Sequence, residues 1–196
     1  MIKETPLCKL AFRYGADKCP KIGHAYTPFY YELLKDKQHV FKKVLEVGVG
    51  GYRQRKFIPN YTIGASLYMW RDFFPEAQIY GGDISPESIF KDERVTTYYC
   101  NENREEDIVK LIETIGSDID FVVDDANHSM NSQKYLCLHL MPLIKKDVLY
   151  VIEDCGHSRM LAKQLTELGY ESYRPELPEN PNRGQRDNLI VVKNKQ

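Results

Sequence analysis

Phe121-Val122-Val123-Asp124-Asp125-Ala126-Asn127-His128 is a run of strand-forming apolar residues that ends in paired acids and a histidine. Val148-Leu149-Tyr150-Val151-Ile152-Glu153-Asp154 repeats the pattern further along the chain. A continuous apolar run of this kind reads as a strand buried on both faces of a parallel sheet. Such sheets take their ligands just beyond the carboxyl ends of the strands. Neighbouring strands lie about 4.8 Å apart, so adjacency of these two would bring Asp125, Glu153 and Asp154 to one point, with His128 beside them. Three carboxylates there repel one another, and a divalent cation is the simplest remedy. The expectation is a hard-metal site in an enzyme.

Outward from these stretches the chain alternates strand and helix. Lys43 to Gly48 reads as a first strand. Gly64 to Phe74 reads as an amphipathic helix, with Leu67, Trp70 and Phe74 as core residues and Pro75 as its stop. Gln78 to Asp83 is a second strand and Arg94 to Cys100 a third. Ile108, Leu111, Ile112 and Ile115 mark a helix closing at Gly116, and further helices are expected over about 131–141 and 158–168. Tyr170 to Tyr173 and Asn188 to Val192 form a closing hairpin. The pattern predicts an α/β fold: a Rossmann-like doubly wound sheet of about seven strands, mostly parallel, with one antiparallel edge strand.

Residues 1–196 are expected to form a single domain. Residues 1–25 read as irregular, followed by a helix that opens at Tyr26-Thr27-Pro28 with Thr27 as its cap. Residues 1–40 form an N-terminal helical segment on the substrate side. Residues 175–187 read as a flap or an inter-subunit arm.

Formal net charge is -1, from 27 basic and 28 acidic residues. That balance argues against a nucleic-acid partner, which calls for a basic excess or stripe. The five cysteines are irregularly spaced and contain no Cys-x-x-Cys, so a reducing, cytoplasmic setting is expected. No apolar stretch approaches a membrane span, and Met1 to Pro6 shows no leader-like apolar region. The partner expected is a small molecule or a glycan, with homo-oligomer formation left open.

Glu46-Val47-Gly48-Val49-Gly50-Gly51 follows a strand, and Asp83 closes the next one, where it could meet a ribose diol. Arg53 stands where a dinucleotide fingerprint would have its third glycine. Glu46 would repel a pyrophosphate and suits a cationic ligand better. These residues favour S-adenosylmethionine over a nicotinamide cofactor.

Taken with Ser66-Leu67-Tyr68-Met69-Trp70-Arg71-Asp72-Phe73-Phe74-Pro75 and Ile79-Tyr80-Gly81-Gly82-Asp83-Ile84, these motifs resemble the class I methyltransferases of the macrolide-sugar type. That group takes in the mycinamicin and macrocin O-methyltransferases and the related cephalosporin-hydroxylase-like proteins. The resemblance covers about residues 14 to 155 and includes Gly15-Ala16-Asp17-Lys18 and His24-Ala25-Tyr26. It implies S-adenosyl-L-methionine, Mg2+ and methyl transfer to a sugar hydroxyl. Carried over by motif, Asp125, Glu153 and Asp154 are the metal ligands and His128 is the general base. Glu46, Gly48 and Asp83 belong to the donor site, with Gly50 and Ser66 beside them. Asn101 stands at the adenine position, in Cys100-Asn101-Glu102 where the family more often has Gly-Asp-Gln. Asp124 either joins the donor site or holds its own loop and caps the next helix.

The chemistry follows from the residue types. A sugar hydroxyl is too weak an acid to ionise unaided near neutral pH, and a divalent cation would stabilise its alkoxide. His128, with an ordinary pKa near 6.5, would take the proton, and His157 is a second candidate base. Tyr26 and Tyr30 are either core or the floor of an acceptor site, and His24 lies in a segment able to close over it. Three rival readings stay open: a methyltransferase for a catechol-like diol, a nicotinamide oxidoreductase of the same architecture, and a non-catalytic binding module.

Overall fold

The computed structural model describes residues 2–56, 58, 61–180 and 184–195. Parts of the 51–63 and 175–187 stretches, including Pro59 and Pro181 to Arg183, therefore lie outside the described residues. The segments, in chain order, are helix α1 (Pro6–Tyr14), α2 (Thr27–Leu34), β1 (Lys43–Val47), α3 (Ala65–Phe73), β2 (Gln78–Asp83), β3 (Lys91–Asp92), β4 (Val95–Tyr99), α4 (Glu105–Ile115), β5 (Phe121–Asp124), α5 (Met130–Leu140), β6 (Leu149–Glu153), α6 (Ser158–Glu167), β7 (Tyr170–Tyr173), β8 (Glu179–Asn180), β9 (Gln185–Arg186) and β10 (Leu189–Asn194).

The main sheet runs β3-β4-β2-β1-β5-β6-β10-β7. It has eight strands rather than about seven. β4, β2, β1, β5 and β6 are parallel neighbours, and the chain runs outward from β1 to β4, then returns to β5. That reversal opens a crevice at the tips of β1 and β5. The antiparallel strand of the terminal hairpin does not lie at the edge: β10 sits between β6 and β7. Side-chain burial explains why. Leu189 to Val192 is buried on both faces and belongs inside the sheet, whereas β7 alternates and tolerates an edge. A second antiparallel pairing joins short β3 to β4.

Helix α1 was hidden in a stretch that reads as irregular. Thr5 caps it by accepting from the Cys8 amide at 3.2 Å, Pro6 opens it, and Gly15 ends it at φ 76°. In α2 the cap position is Tyr26, and Thr27 lies inside the first turn. The Thr27 hydroxyl instead meets Cys8 Sγ at 3.1 Å, tying α2 to α1.

Strand alternation divides the core in two. Val44, Phe121, Val123, Val151 and Val191 face α1, α2 and α3. Leu45, Val47, Val122, Tyr150 and Ile152 face α4, α5 and α6. Trp70 meets Phe121 edge-on at 5.4 Å and Tyr30 at 5.2 Å. Each large buried side chain in this layer contributes on the order of 2–3 kcal/mol. The same two faces decide where the acids point: Glu46 and Glu153 share the α1–α3 side with Val44 and Val151, and Asp124 shares the other with Val122.

Candidate active site

A cavity of about 960 Å³ lies beyond the carboxyl ends of β1, β2, β4, β5 and β6. Its walls come from the loops after those strands, the first turn of α3 and the segment between α1 and α2. Gly48, at φ 98°, forms the tight turn. A side-chain carbon there would lie 2.1 Å from the Asp125 carbonyl oxygen, so the β1 and β5 tips approach this closely only with glycine. Asp83 Oδ2 accepts from the amides of Val49 and Gly50 at 2.8 and 3.2 Å, and its Oδ1 accepts from Ser85. The carboxylate thus occupies the glycine-turn amides that a diphosphate would need, which speaks against a dinucleotide.

β5 and β6 are neighbours in register, with Asp124 opposite Ile152. Asp125, His128 and Asp154 offer ligand atoms that all lie within 4.8 Å of one another. His128 Nε2 lies 3.2 Å from Asp125 Oδ1. That hydrogen bond raises the imidazole above the ordinary histidine value, against the effect of burial. Burial works to raise the Asp125 carboxyl, but Lys18 and His128 outweigh it and hold the pKa at about 2. Asp154 has a left-handed backbone, φ 53°, a conformation that strains a residue with a side chain. It is secured by its amide donating to Asn188 O at 3.1 Å and by the Tyr26 hydroxyl donating to its Oδ1 at 2.7 Å. His24 lines the cavity, with Nε2 3.3 Å from Asp154 and Nδ1 3.1 Å from Asp187.

The buried group that sequence reading passed over is Lys18. Its side chain is 1 % exposed, and Nζ lies 2.7 Å from Asp125 Oδ2, 2.5 Å from Glu153 Oε2 and 3.6 Å from Glu46 Oε1. Burial disfavours its charge, but the surrounding acids hold its pKa well above the ordinary lysine value. The repulsion among the acids is therefore relieved first by an ammonium of the chain itself. Lys18 sits in the Gly15-Ala16-Asp17-Lys18 motif, and that motif was the only signal for it. Asp17, from the same motif, also lines the cavity.

Several expected site residues are placed elsewhere. Glu46 is fully buried, and its carboxylate accepts from Ser66 Oγ and Trp70 Nε1 beside Lys18; the cation it meets is internal, and it does not line the cavity. Glu153 accepts from Lys18 and from the Tyr30 hydroxyl, so both its oxygens are engaged in the α1–α3 layer rather than with Asp154. Tyr26 and Tyr30 are fully buried; they orient acids instead of flooring an acceptor pocket. Gly48, Gly50, Ser66, Asp83 and Asn101 do line the cavity.

Asp124 faces the opposite layer and does not reach the cavity. It accepts from the Ala126 amide at 3.5 Å and the Tyr150 hydroxyl at 3.3 Å, while Ser129 caps α5. Burial pushes its carboxyl up to about 8. The unfolded chain ionises this group near pH 4, so folding takes up a proton between about 4 and 8, and stability falls as pH rises through that window. Asp124→Asn imitates the neutral acid. Its melting temperature should gain on the wild type at pH 8 more than at pH 5 in thermal denaturation, and an equal difference at both pH values would refute the assignment.

The two cavity-facing carboxylates, Asp125 and Asp154, are each about one-fifth exposed. Two oxygen donors with room for water fit a hard divalent cation such as Mg2+. The five cysteines are free and buried. Among the described residues no helix is long and apolar enough to cross a membrane.

Comparison with known proteins agrees with this geometry. No family model matches the chain. It is 36 % identical over 128 residues to the mycinamicin VI 2''-O-methyltransferase of Micromonospora griseorubida, across 64 % of this chain and 30 % of that protein. It is 32 % identical over 139 residues to a tetracenomycin-C rhamnosyl 3'-O-methyltransferase of Streptomyces olivaceus, across 71 % of this chain and 34 % of that protein. The structure of the MycE methyltransferase in complex with Mg, SAH and mycinamycin VI superposes with a TM-score of 0.77 at 27 % identity, covering 98 % of this chain and 55 % of that one. The SAH-bound Podospora anserina methyltransferase PaMTH1 shares the fold, with a TM-score of 0.62 at 12 % identity. The architecture is thus the class I methyltransferase fold, and the chain is similar to macrolide-sugar O-methyltransferases. It spans about a third of the length of the curated relatives it matches.

Proposed function

We propose that the chain is an S-adenosylmethionine-dependent, Mg2+-dependent O-methyltransferase acting on a hydroxyl of a sugar, in a glycan or a glycosylated small molecule. The observation that carries this reading is the cavity itself: the glycine turn, with Asp83 across it, opens into the same space as Asp125, Asp154 and His128. The similarity to sugar O-methyltransferases supports the acceptor class.

The donor would lie along Gly48 and Gly50, with its ribose toward Asp83 and its adenine toward Asn101. Asp125 and Asp154 would hold the Mg2+. When bound, the ion lowers the cost of forming an alkoxide and orients the acceptor hydroxyl. His128, whose Nε2–H donates to Asp125, would take the acceptor's proton at its other ring nitrogen, Nδ1. The protein's larger contribution is alignment of acceptor oxygen and methyl group in a walled cavity.

Two measurements test this. S-adenosylhomocysteine should raise the melting temperature and NADH should not. Transfer of labelled methyl to a panel of free, nucleotide-linked and lipid-linked sugars should stop with EDTA and return with magnesium. A stabilising response to NADH alone, or transfer indifferent to EDTA, sinks the reading.

A further inference from the structure

We propose that Lys18 is the resident counter-ion of the acid cluster, a positioning residue that lets the site form without a divalent ion and keeps that ion exchangeable. The proposal rests on the metal-dependent reading above and deepens it. Three observations carry it.

First, Lys18 Nζ is enclosed. Asp125, Glu153 and Glu46 surround it at 2.7, 2.5 and 3.6 Å, and these three acids come from three different strand ends. An ammonium gathered in this way offsets part of the negative charge of a cluster that would otherwise draw protons or an added cation. Second, it divides Asp125. Oδ2 is taken by Lys18, leaving Oδ1 turned to His128 and the cavity. The carboxylate is therefore presented one oxygen at a time, which suits a cation that keeps part of its water shell. Third, its partners are built to hold it. Tyr30 engages the other Glu153 oxygen, and Ser66 and Trp70 engage Glu46. None of these donors reaches Asp154, which is held instead by Tyr26 at 2.7 Å and His24 at 3.3 Å and is about one-fifth exposed to the cavity.

A positive charge beside the cation site repels a divalent ion, so wild-type affinity is tempered. Removing that charge leaves the acids short of a partner, and a divalent ion becomes the replacement. Lys18→Met should therefore weaken the metal-free fold and strengthen metal binding at once. A side chain needed only for packing would weaken the fold without tightening the metal.

The experiment uses the full chain with Mn2+ as probe, followed by thermal denaturation and by the electron paramagnetic resonance of free Mn2+. In EDTA, K18M should melt about 10 °C or more below the wild type. Mn2+ should bind K18M about tenfold or more tighter than wild type and return most of the lost melting temperature. The double variant K18M/E153Q removes the ammonium together with the acid nearest to it. It should recover much of the metal-free stability, with an Mn2+ affinity near that of the wild type. K18M that folds only when Mn2+ is present also supports the proposal. Equal or weaker Mn2+ binding by K18M, or K18M that stays unfolded at saturating Mn2+, overturns it. Stabilisation of the wild type by S-adenosylhomocysteine is read in parallel. If that response is present while K18M binds Mn2+ as the wild type does, the Lys18 assignment fails alone. If the wild type responds to neither ligand, both readings fail.

Discussion

Asp125→Asn is expected to lower methyl transfer by about 10³-fold while leaving S-adenosylhomocysteine binding within a few-fold. The substitution is nearly isosteric. Its amide oxygen still accepts from Lys18 Nζ, where Asp125 Oδ2 now lies at 2.7 Å. What disappears is the negative charge at the cavity and the acceptor that raises His128. The proposed cation site and the proposed proton acceptor should weaken together, with the loss falling on the chemical step. The donor site is spared because the glycine turn is held by Asp83, and the backbone link from the Asp125 amide to Val47 O at 2.8 Å is unchanged. Initial rates with labelled donor, set beside thermal shifts with S-adenosylhomocysteine, measure the two effects separately. A rate within tenfold of wild type at any magnesium concentration contradicts the role given to Asp125.

Gly48→Ala should have the largest effect on the fold and the donor site together. The left-handed backbone at φ 98° disfavours any side chain, which costs on the order of 1–2 kcal/mol. The added carbon would also sit 2.1 Å from Asp125 O and 2.6 Å from Ala126 N. Both atoms are backbone, so no side-chain rotation relieves the overlap, and the tips of β1 and β5 must part. We expect a loss of about 3 kcal/mol or more, a fall in melting temperature of about 6–12 °C, and loss of the S-adenosylhomocysteine response. Gly156→Ala is the control: nothing lies within 4 Å of its added carbon, and its effect should stay within about 0.5 kcal/mol. Equal melting temperatures for the Gly48 and Gly156 variants would contradict the close approach of the two strand tips.

Much of the framework was legible in the residues. The apolar runs at 121–124 and 149–153 are buried neighbouring strands, because a strand covered on both faces must be apolar throughout. Glycine at 48 was legible because a tight strand–helix turn needs it. Helix α1 was missed although Thr5-Pro6 carries the same cap-and-proline signal as Thr27-Pro28; the scattered Gly15, Pro20 and Gly23 that follow obscured it. The position of β10 inside the sheet was signalled by its four buried apolar residues, set against the alternating β7.

The acids are where reading along the chain reached its limit. Local pattern located Glu46, Asp124, Asp125, Glu153 and Asp154 at strand ends, since the end of an apolar run is a property of neighbours in sequence. Which of them meet depended on face and on distant partners. Glu46 and Glu153 turn to one layer and Asp124 to the other, because successive side chains on a strand point to opposite faces. Lys18 lies 107 residues from Asp125 and 135 from Glu153, and a contact across such separations leaves no periodic trace. The amino-acid order thus determined the scaffold and the set of available charges, because strands, helices and turns answer to local sterics and burial. Folding in three dimensions alone decided how those charges pair, because Coulomb energy depends on distance through space and on burial, and neither is written in residue spacing.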